Sequence, residues 1–134
     1  MDRCQVLQFQ VLLLRKVVER QDPIPVWGDG NDVKDFIYVE DLADGMILAM
    51  EKLENSEPIN LSTGRQCTIK EILNDVLELD GYQNAKIVFD TSKPTMIKKR
   101  LISPEKAKEV LGFEAKTGLK EGLKKTIDWY KTKL

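Results

Sequence analysis

The chain predicts an α/β fold, a small mixed domain of short strands and amphipathic helices, and three features carry that prediction. Residues 4–20, 39–53, 69–77 and 119–130 repeat apolar side chains at three- and four-residue steps, the signature of helices with one apolar stripe. Between them lie the apolar runs Val26-Trp27, Ile59-Asn60-Leu61 and Ile87-Val88-Phe89, too short for helices and bounded by Gly, Pro, Asn and Asp. Helix start and stop residues then punctuate the boundaries. No internal repeat, low-complexity tract or linker interrupts the 134 residues, so a single domain over 1–134 is expected. A chain of this length can bury roughly two thirds of its unfolded surface.

The first helix is expected over residues 4–20, with Val6, Phe9, Leu13 and Val17 as its stripe and Val11, Leu12 and Leu14 widening it. Asp22-Pro23-Ile24-Pro25 stops it, because proline lacks the amide donor and biases its predecessor away from helical angles. Val26-Trp27 then reads as a strand, Asp29-Gly30-Asn31-Asp32 as a turn, and the residues after it as a second short strand. Val39, Leu42, Ala43, Met46, Met50 and Leu53 predict a buried amphipathic helix over 39–53, with Glu40 and Asp41 suiting its positive end. Carboxylates so placed are read as structural, not as an acid/base pair.

Pro58-Ile59-Asn60-Leu61 is expected to be a strand running into Ser62-Thr63-Gly64. Thr68-Ile69-Lys70-Glu71 is a capping box opening a helix whose stripe is Ile69, Ile72, Leu73, Val76 and Leu77, stopped at Gly81. A strand, a small-residue turn and a helix N-terminus can cradle an anion, although a tight turn is the simpler reading. Lys86 to Asp90 is a further strand, followed by Lys93, Lys98, Lys99 and Arg100, the one dense basic cluster. Ser103-Pro104 opens a short helix in which Ala107, Val110 and Leu111 face inward and which Gly112 ends. The last helix follows Thr117-Gly118 and buries Leu119, Leu123, Ile127 and Tyr130, with Trp129-Tyr130 read as packing.

Composition removes several function classes. Twenty-one basic against twenty-two acidic residues leave a net charge of −1, so no global field draws the protein to nucleic acid or to an anionic membrane. The basic cluster also lacks the interleaved aromatics that single-stranded nucleic acid would need. Cys4 and Cys67 are isolated thiols and there is no histidine, which argues against a zinc site and excludes Ser-His-Asp and Cys-His constellations. No apolar run, Val11 to Leu14 included, comes near a bilayer span, and no signal-peptide pattern is present, so a cytoplasmic location is expected.

The pattern Trp27-Gly28-x-Gly30, then a basic residue and Asp35-Phe36-Ile37-Tyr38-Val39-x-Asp41-Leu42-Ala43, resembles the extended short-chain dehydrogenase/reductases that remodel nucleotide sugars. These are the epimerases, dehydratases and GDP-fucose-synthase-like enzymes. Ile59 to Gly64, Lys93-Pro94-Thr95, Arg100-Leu101, Leu111-Gly112-Phe113, Leu119 to Leu123 and Ile127 to Tyr130 extend the resemblance in the family's order. It implies the C-terminal, substrate-binding part of such an enzyme. Family members carry a Gly-rich strand-turn-helix for NAD or NADP and a catalytic Tyr-x-x-x-Lys pair. This chain shows neither, since none of Tyr38, Tyr82 and Tyr130 has Lys four residues on. No cofactor is therefore expected to bind this chain alone, no catalytic residue is assigned, and turnover by the chain alone is not expected.

The resemblance also implies where a nucleotide-diphosphate sugar would be gripped. Trp27 would stack on or line the base, the alternative being a core tryptophan beside a turn. Lys34 falls where the family usually has a diphosphate-gripping arginine, and lysine keeps the charge but loses the planar fork. Arg100 matches a phosphate-binding arginine, and Lys16 aligns with a basic residue near the end of the first helix. Lys98 and Lys99 are read as solvated. Two alternatives stay open: a stand-alone nucleotide- or phosphate-binding module, and a non-catalytic oligomerising remnant. The apolar faces near Ile59 and on helix 39–53 would lean on a Rossmann sheet in the family. They should therefore seek a partner, either a homo-oligomer or a separate N-terminal Rossmann half.

Overall fold

The computed structural model describes residues 12–93 and 97–134. A first helix, α1, is described over 12–18, and Val6, Phe9 and Val11 of its expected stripe lie outside the described residues. There follow β1 (Ile24–Trp27), β2 (Val33–Lys34), α2 (Val39–Lys52), β3 (Cys67–Thr68), α3 (Ile69–Asp80), β4 (Ile87–Asp90), α4 (Glu105–Leu111) and α5 (Leu119–Lys131). The α/β class holds, as a set of helices around two small sheets.

The main core forms where α1, α3 and α5 meet the β1–β4 ribbon. β1 and β4 pair in parallel with Ile24 opposite Ile87 and Val26 opposite Phe89. Alternation turns Ile24 and Val26 into the core, where both are fully buried beside Leu13, Leu14, Val17, the whole α3 stripe and Ile127. Pro25 is tolerated inside β1 because β1 has a ladder partner on one edge only, so its missing donor faces no neighbour. Leu12, expected on the buried stripe of α1, is instead exposed.

A second, smaller cluster joins α4 to the inner face of α2 through Ala107, Leu111 and Phe113, with Leu48, Ala49, Leu53, Ile59 and Leu61 packed on it. Gly45 permits this approach, since a Cβ there would lie 2.9 Å from both Leu61 and Phe113 side-chain atoms. This arrangement overturns the expected orientation of α2. Asp41 and Gly45 are the buried residues of that helix, while Val39 (67% exposed), Met46, Ile47 and Met50 (84% exposed) face outward. The helix is amphipathic as read, and Leu53 of its expected stripe packs on the second cluster, but nothing among the described residues covers Val39, Met46 and Met50. Val110 of α4 and Trp129 of α5 are likewise exposed instead of packed, whereas Tyr130 lies half-buried against the main core.

Two strand expectations also change. Residues 58–61 form no strand, because no described segment lies alongside to complete a ladder. β3 is an addition: Cys67 and Thr68 pair antiparallel with Lys34 and Val33.

Polar contacts tie the layers together. Asp80, at the end of α3, is buried between the guanidinium of Arg20 and the ammonium of Lys131, 2.6 Å away. Arg20 also donates to the Asp80 carbonyl at 3.0 Å and lies over the Tyr82 ring, so one side chain links α1, α3 and the loop after it. Asp41 accepts from the amide of Thr117 at 2.8 Å and from its hydroxyl at 3.1 Å, which pins α2 to the approach to α5. Arg65 reaches the carbonyls of Ala115 and Thr117 from the other side.

Candidate functional site

β2 is the centre of the candidate site. It lies between β3 on one edge and the basic segment on the other, where Val33 stands opposite Lys99 in a parallel bridge. The Val33 amide donates to the Lys98 carbonyl at 2.7 Å, and the Arg100 amide donates to the Val33 carbonyl at 2.9 Å. One residue beyond the bridge on each segment stand Lys34 and Arg100. The bridge thus joins the segments that carry Lys34 and Arg100, which are remote in sequence.

The Lys34 ammonium is partly engaged already. It contacts the Ile97 carbonyl and lies 3.4 Å from the Asp32 carboxylate, and the side chain is largely buried. Arg100 is exposed and held through its backbone. Trp27 ends β1 with half its surface exposed, at 49%, on the ribbon face away from the core. Of the two readings of Trp27, the core tryptophan is excluded. Lys16 lies elsewhere: burial lowers the pKa of its ammonium, which donates to the Pro25 carbonyl at 2.9 Å. That contact holds α1 to β1, so Lys16 stands apart from the β2 bridge.

Beside Trp27 a cavity of about 270 Å³ is lined by Gly28, Asp29, Asn31, Asp32, Thr91, Lys93 and Lys98. It adjoins Lys34, since Asp32 belongs both to its wall and to the ion pair with Lys34. Lys98, read from sequence as solvated, is one of its walls. Asp29, Asn31 and Thr91 were missed as lining residues. The W-G-D-G-N turn was the available signal for the first two, and only the parallel pairing of β1 and β4 brings Thr91 alongside. Asp29 is held by the amide and side chain of Asn31, which keep its carboxyl below the usual range. A larger cavity, about 430 Å³, is lined by Gln66, Cys67, Glu71, Asn74, Asp75 and Leu119. It has acids and no cation, so it does not suit a phosphate. Burial, then the charges of Glu71, Asp35 and Asp75, push the Cys67 thiol up to about 11, which leaves it unreactive at neutral pH.

The small-residue turn that could have cradled an anion has its amides filled from within the chain. Asp35 accepts from the Thr63 and Gly64 amides and from the Thr63 hydroxyl. The N-terminus of α3 is closed by its own capping box, Thr68 with Glu71. These residues do not fit a dinucleotide. Among the described residues no cluster of His, Cys, Asp and Glu could hold a metal ion, and no helix is long and apolar enough to cross a membrane.

Comparison with known proteins places this geometry. The sequence profile described as GDP-mannose 4,6 dehydratase matches residues 8–126. The chain is 39% identical over 107 residues to a probable GDP-L-fucose synthase 1 of Oryza sativa subsp. japonica, covering 80% of this chain and 32% of that one. It is 34% identical over 116 residues to the GDP-L-fucose synthase of Escherichia coli K12, covering 80% of this chain and 36% of the relative. The fold superposes on the UDP-glucose 4-epimerase of Thermotoga maritima, solved with UDP-glucose, with a TM-score of 0.84 and 31% identity. That match covers 92% of this chain and 39% of the epimerase. A UDP-glucuronic acid 4-epimerase from Bacillus cereus, solved with UDP-glucuronic acid and NAD, gives 0.82 at 27% identity, again over 39% of its length. The chain therefore spans about a third of the length of the proteins it resembles, and it belongs to the GDP-mannose 4,6 dehydratase family of extended short-chain dehydrogenase/reductases that act on nucleotide sugars.

Proposed function

We propose that this chain supplies the grip on the nucleoside diphosphate of a nucleotide sugar within an NAD(P)-dependent epimerase, dehydratase or reductase. The observation that carries the reading is the Val33–Lys99 bridge, which joins the segments carrying Lys34 and Arg100 beside a cavity lined by Lys93 and Lys98. Diphosphate oxygens bridge the two cations, Arg100 through its planar fork and Lys34 as a point charge. The open face of Trp27, one residue from the cavity wall, suits the base. Hydride and proton transfer belong to groups outside this sequence, because it carries neither Tyr-x-x-x-Lys nor a Gly-rich dinucleotide turn. The chain acts as a single folded unit over residues 1–134.

The same reading supplies a partner. The uncovered stripe Val39, Met46, Ile47 and Met50, with residues 58–61 lacking a ladder neighbour, is the surface for the remaining two thirds of the relatives' fold or for a second copy of this chain. Light scattering that shows a monodisperse monomer at every concentration, alone and with an N-terminal half from a relative, would sink this partner.

The nucleotide site is tested by tryptophan fluorescence in a Trp129→Phe background, so that Trp27 alone reports. Titration with UDP, GDP and dTDP and their sugars should saturate, and Arg100→Ala should weaken binding by at least about tenfold, the scale of one charge-assisted hydrogen bond. Equal affinity in the folded Arg100→Ala protein overturns the site.

A further inference from the structure

The turn Ser62-Thr63-Gly64 belongs to no strand, yet it touches both segments that carry the cation pair. On one side it meets Asp35, the residue after Lys34. That carboxylate accepts from the Thr63 amide at 3.3 Å, from the Gly64 amide at 2.8 Å and from the Thr63 hydroxyl. On the other side buried Ser62 donates its hydroxyl to the carbonyl of Ile102 at 3.1 Å, two residues beyond Arg100. Gly64 sits at φ +70°, which turns successive amides toward one point, and Asp35 fills that nest. Between the two segments the backbone itself provides one isolated bridge.

We propose that Asp35 and Ser62 are positioning residues which, through the 62–64 turn, hold Lys34 and Arg100 at the spacing a diphosphate requires; the inference rests on the nucleotide-binding reading above. A single bridge with two hydrogen bonds is a weak join. The turn closes it by bonding the residue after Lys34 at one end and the backbone after Arg100 at the other. The contacts are specific in chemistry as well as shape. In Asp35→Asn one oxygen becomes an NH₂ group, a donor that cannot accept from the Gly64 or Thr63 amide it would face. In Ser62→Ala the tie to Ile102 is removed and the cavity left is small.

Two readouts test this on the full chain. Amide hydrogen exchange by NMR follows Val33 and Arg100, whose N–H groups make the bridge. In Asp35→Asn and in Ser62→Ala both amides should exchange about tenfold faster, while the amides of α3 keep their protection. Titration with UDP and GDP should show affinity falling about tenfold in the same variants, with Thr63→Ser retaining the wild-type value. Unchanged exchange at Arg100 in either folded variant overturns the positioning role, whatever the nucleotide result. Faster exchange with undiminished diphosphate affinity overturns it as well. Faster exchange in a chain whose wild type binds no diphosphate supports the clamp and removes the nucleotide reading instead. Should Asp35→Asn fail to fold, Thr63→Ala, which deletes one hydroxyl contact, takes its place.

Discussion

Helices α2 and α3 have equally clear apolar stripes in the sequence, and the fold treats them in opposite ways. In α3 all five stripe residues, Ile69, Ile72, Leu73, Val76 and Leu77, are buried. In α2 the outward face carries Val39, Met46, Ile47 and Met50, and the helix rests on Asp41 and Gly45. The difference teaches that a hydrophobic period reports a preference for cover and not the identity of the cover. α3 finds its cover in α1, α5 and the β1–β4 ribbon; α2 finds none for its outer face among the described residues.

The comparison is broken most directly by cutting each stripe. Leu73→Ala, at a site 1% exposed, should cost about 3–4 kcal/mol by chemical denaturation, the usual range for a core leucine that leaves a cavity. If the loss is below about 1 kcal/mol, α3 is not the centre of the core. The inner face of α2 is probed by Gly45→Ala. The new methyl would enter contacts of 2.9 Å with Leu61 and Phe113, so crowding outweighs the roughly 1 kcal/mol gain in helix propensity and leaves a net loss of about 1–2 kcal/mol. A stabilised Gly45→Ala protein would show that α2 can move off α4 at no cost.

The ends of the two helices differ as well, and this predicts a smaller effect. Thr68 caps α3, while α2 begins at Tyr38 with no side-chain cap. Thr68→Ala should therefore cost about 1 kcal/mol in thermal or urea unfolding. The Thr68 amide and hydroxyl hold Glu71 below the ordinary glutamate range. Because that value is depressed on folding, the contribution is complete above the unfolded glutamate value of 4.5 and fades as pH falls through the lower folded value. The stability gap between wild type and Glu71→Gln should accordingly be widest near neutral pH and close in acid. A gap that widens in acid contradicts the box.

Least of all should change on the outer face of α2. Met50→Lys should alter stability by no more than about 0.5 kcal/mol, because the side chain is 84% exposed. It should nevertheless abolish the self-association or half-enzyme binding proposed for that face, seen by light scattering. Cys67 offers a last check on the packing beside α3. In a Cys4→Ser background its thiol, pushed up to about 11, should react slowly with iodoacetamide at pH 8, and rapid labelling would show that the β3–α3 corner opens.

Local chemistry was readable wherever it was complete within a few residues. The Thr68–Glu71 box forms as written, Gly81 and Gly112 adopt φ of 71° and 68° at the ends of α3 and α4, and β1 and β4 appear at the expected apolar runs. Ser103 bonds the amide of Glu105 at 3.3 Å, one residue off the expected boundary. Long-range partners were not readable. Residues 58–61 have the composition of a strand and no ladder, whereas Cys67-Thr68, with no strand signal, gains one from Val33-Lys34. Of the candidate site, Lys34, Arg100 and Trp27 were legible through resemblance, while Lys98 and Thr91 reach the cavity through pairings between distant segments.

The sequence by itself determined the α/β class, most helix limits, the absence of histidine chemistry and the presence of a basic segment ending at Arg100. These depend on backbone propensity, capping and composition, which act over a turn or two of chain. Only the tertiary structure decided which stripe is buried, that Lys16 serves β1, and that Asp35 fills the anion nest of the 62–64 turn. Those outcomes depend on which distant groups compete for the same face, cation or amide. Such competition is settled by packing and hydrogen-bond satisfaction across the whole fold.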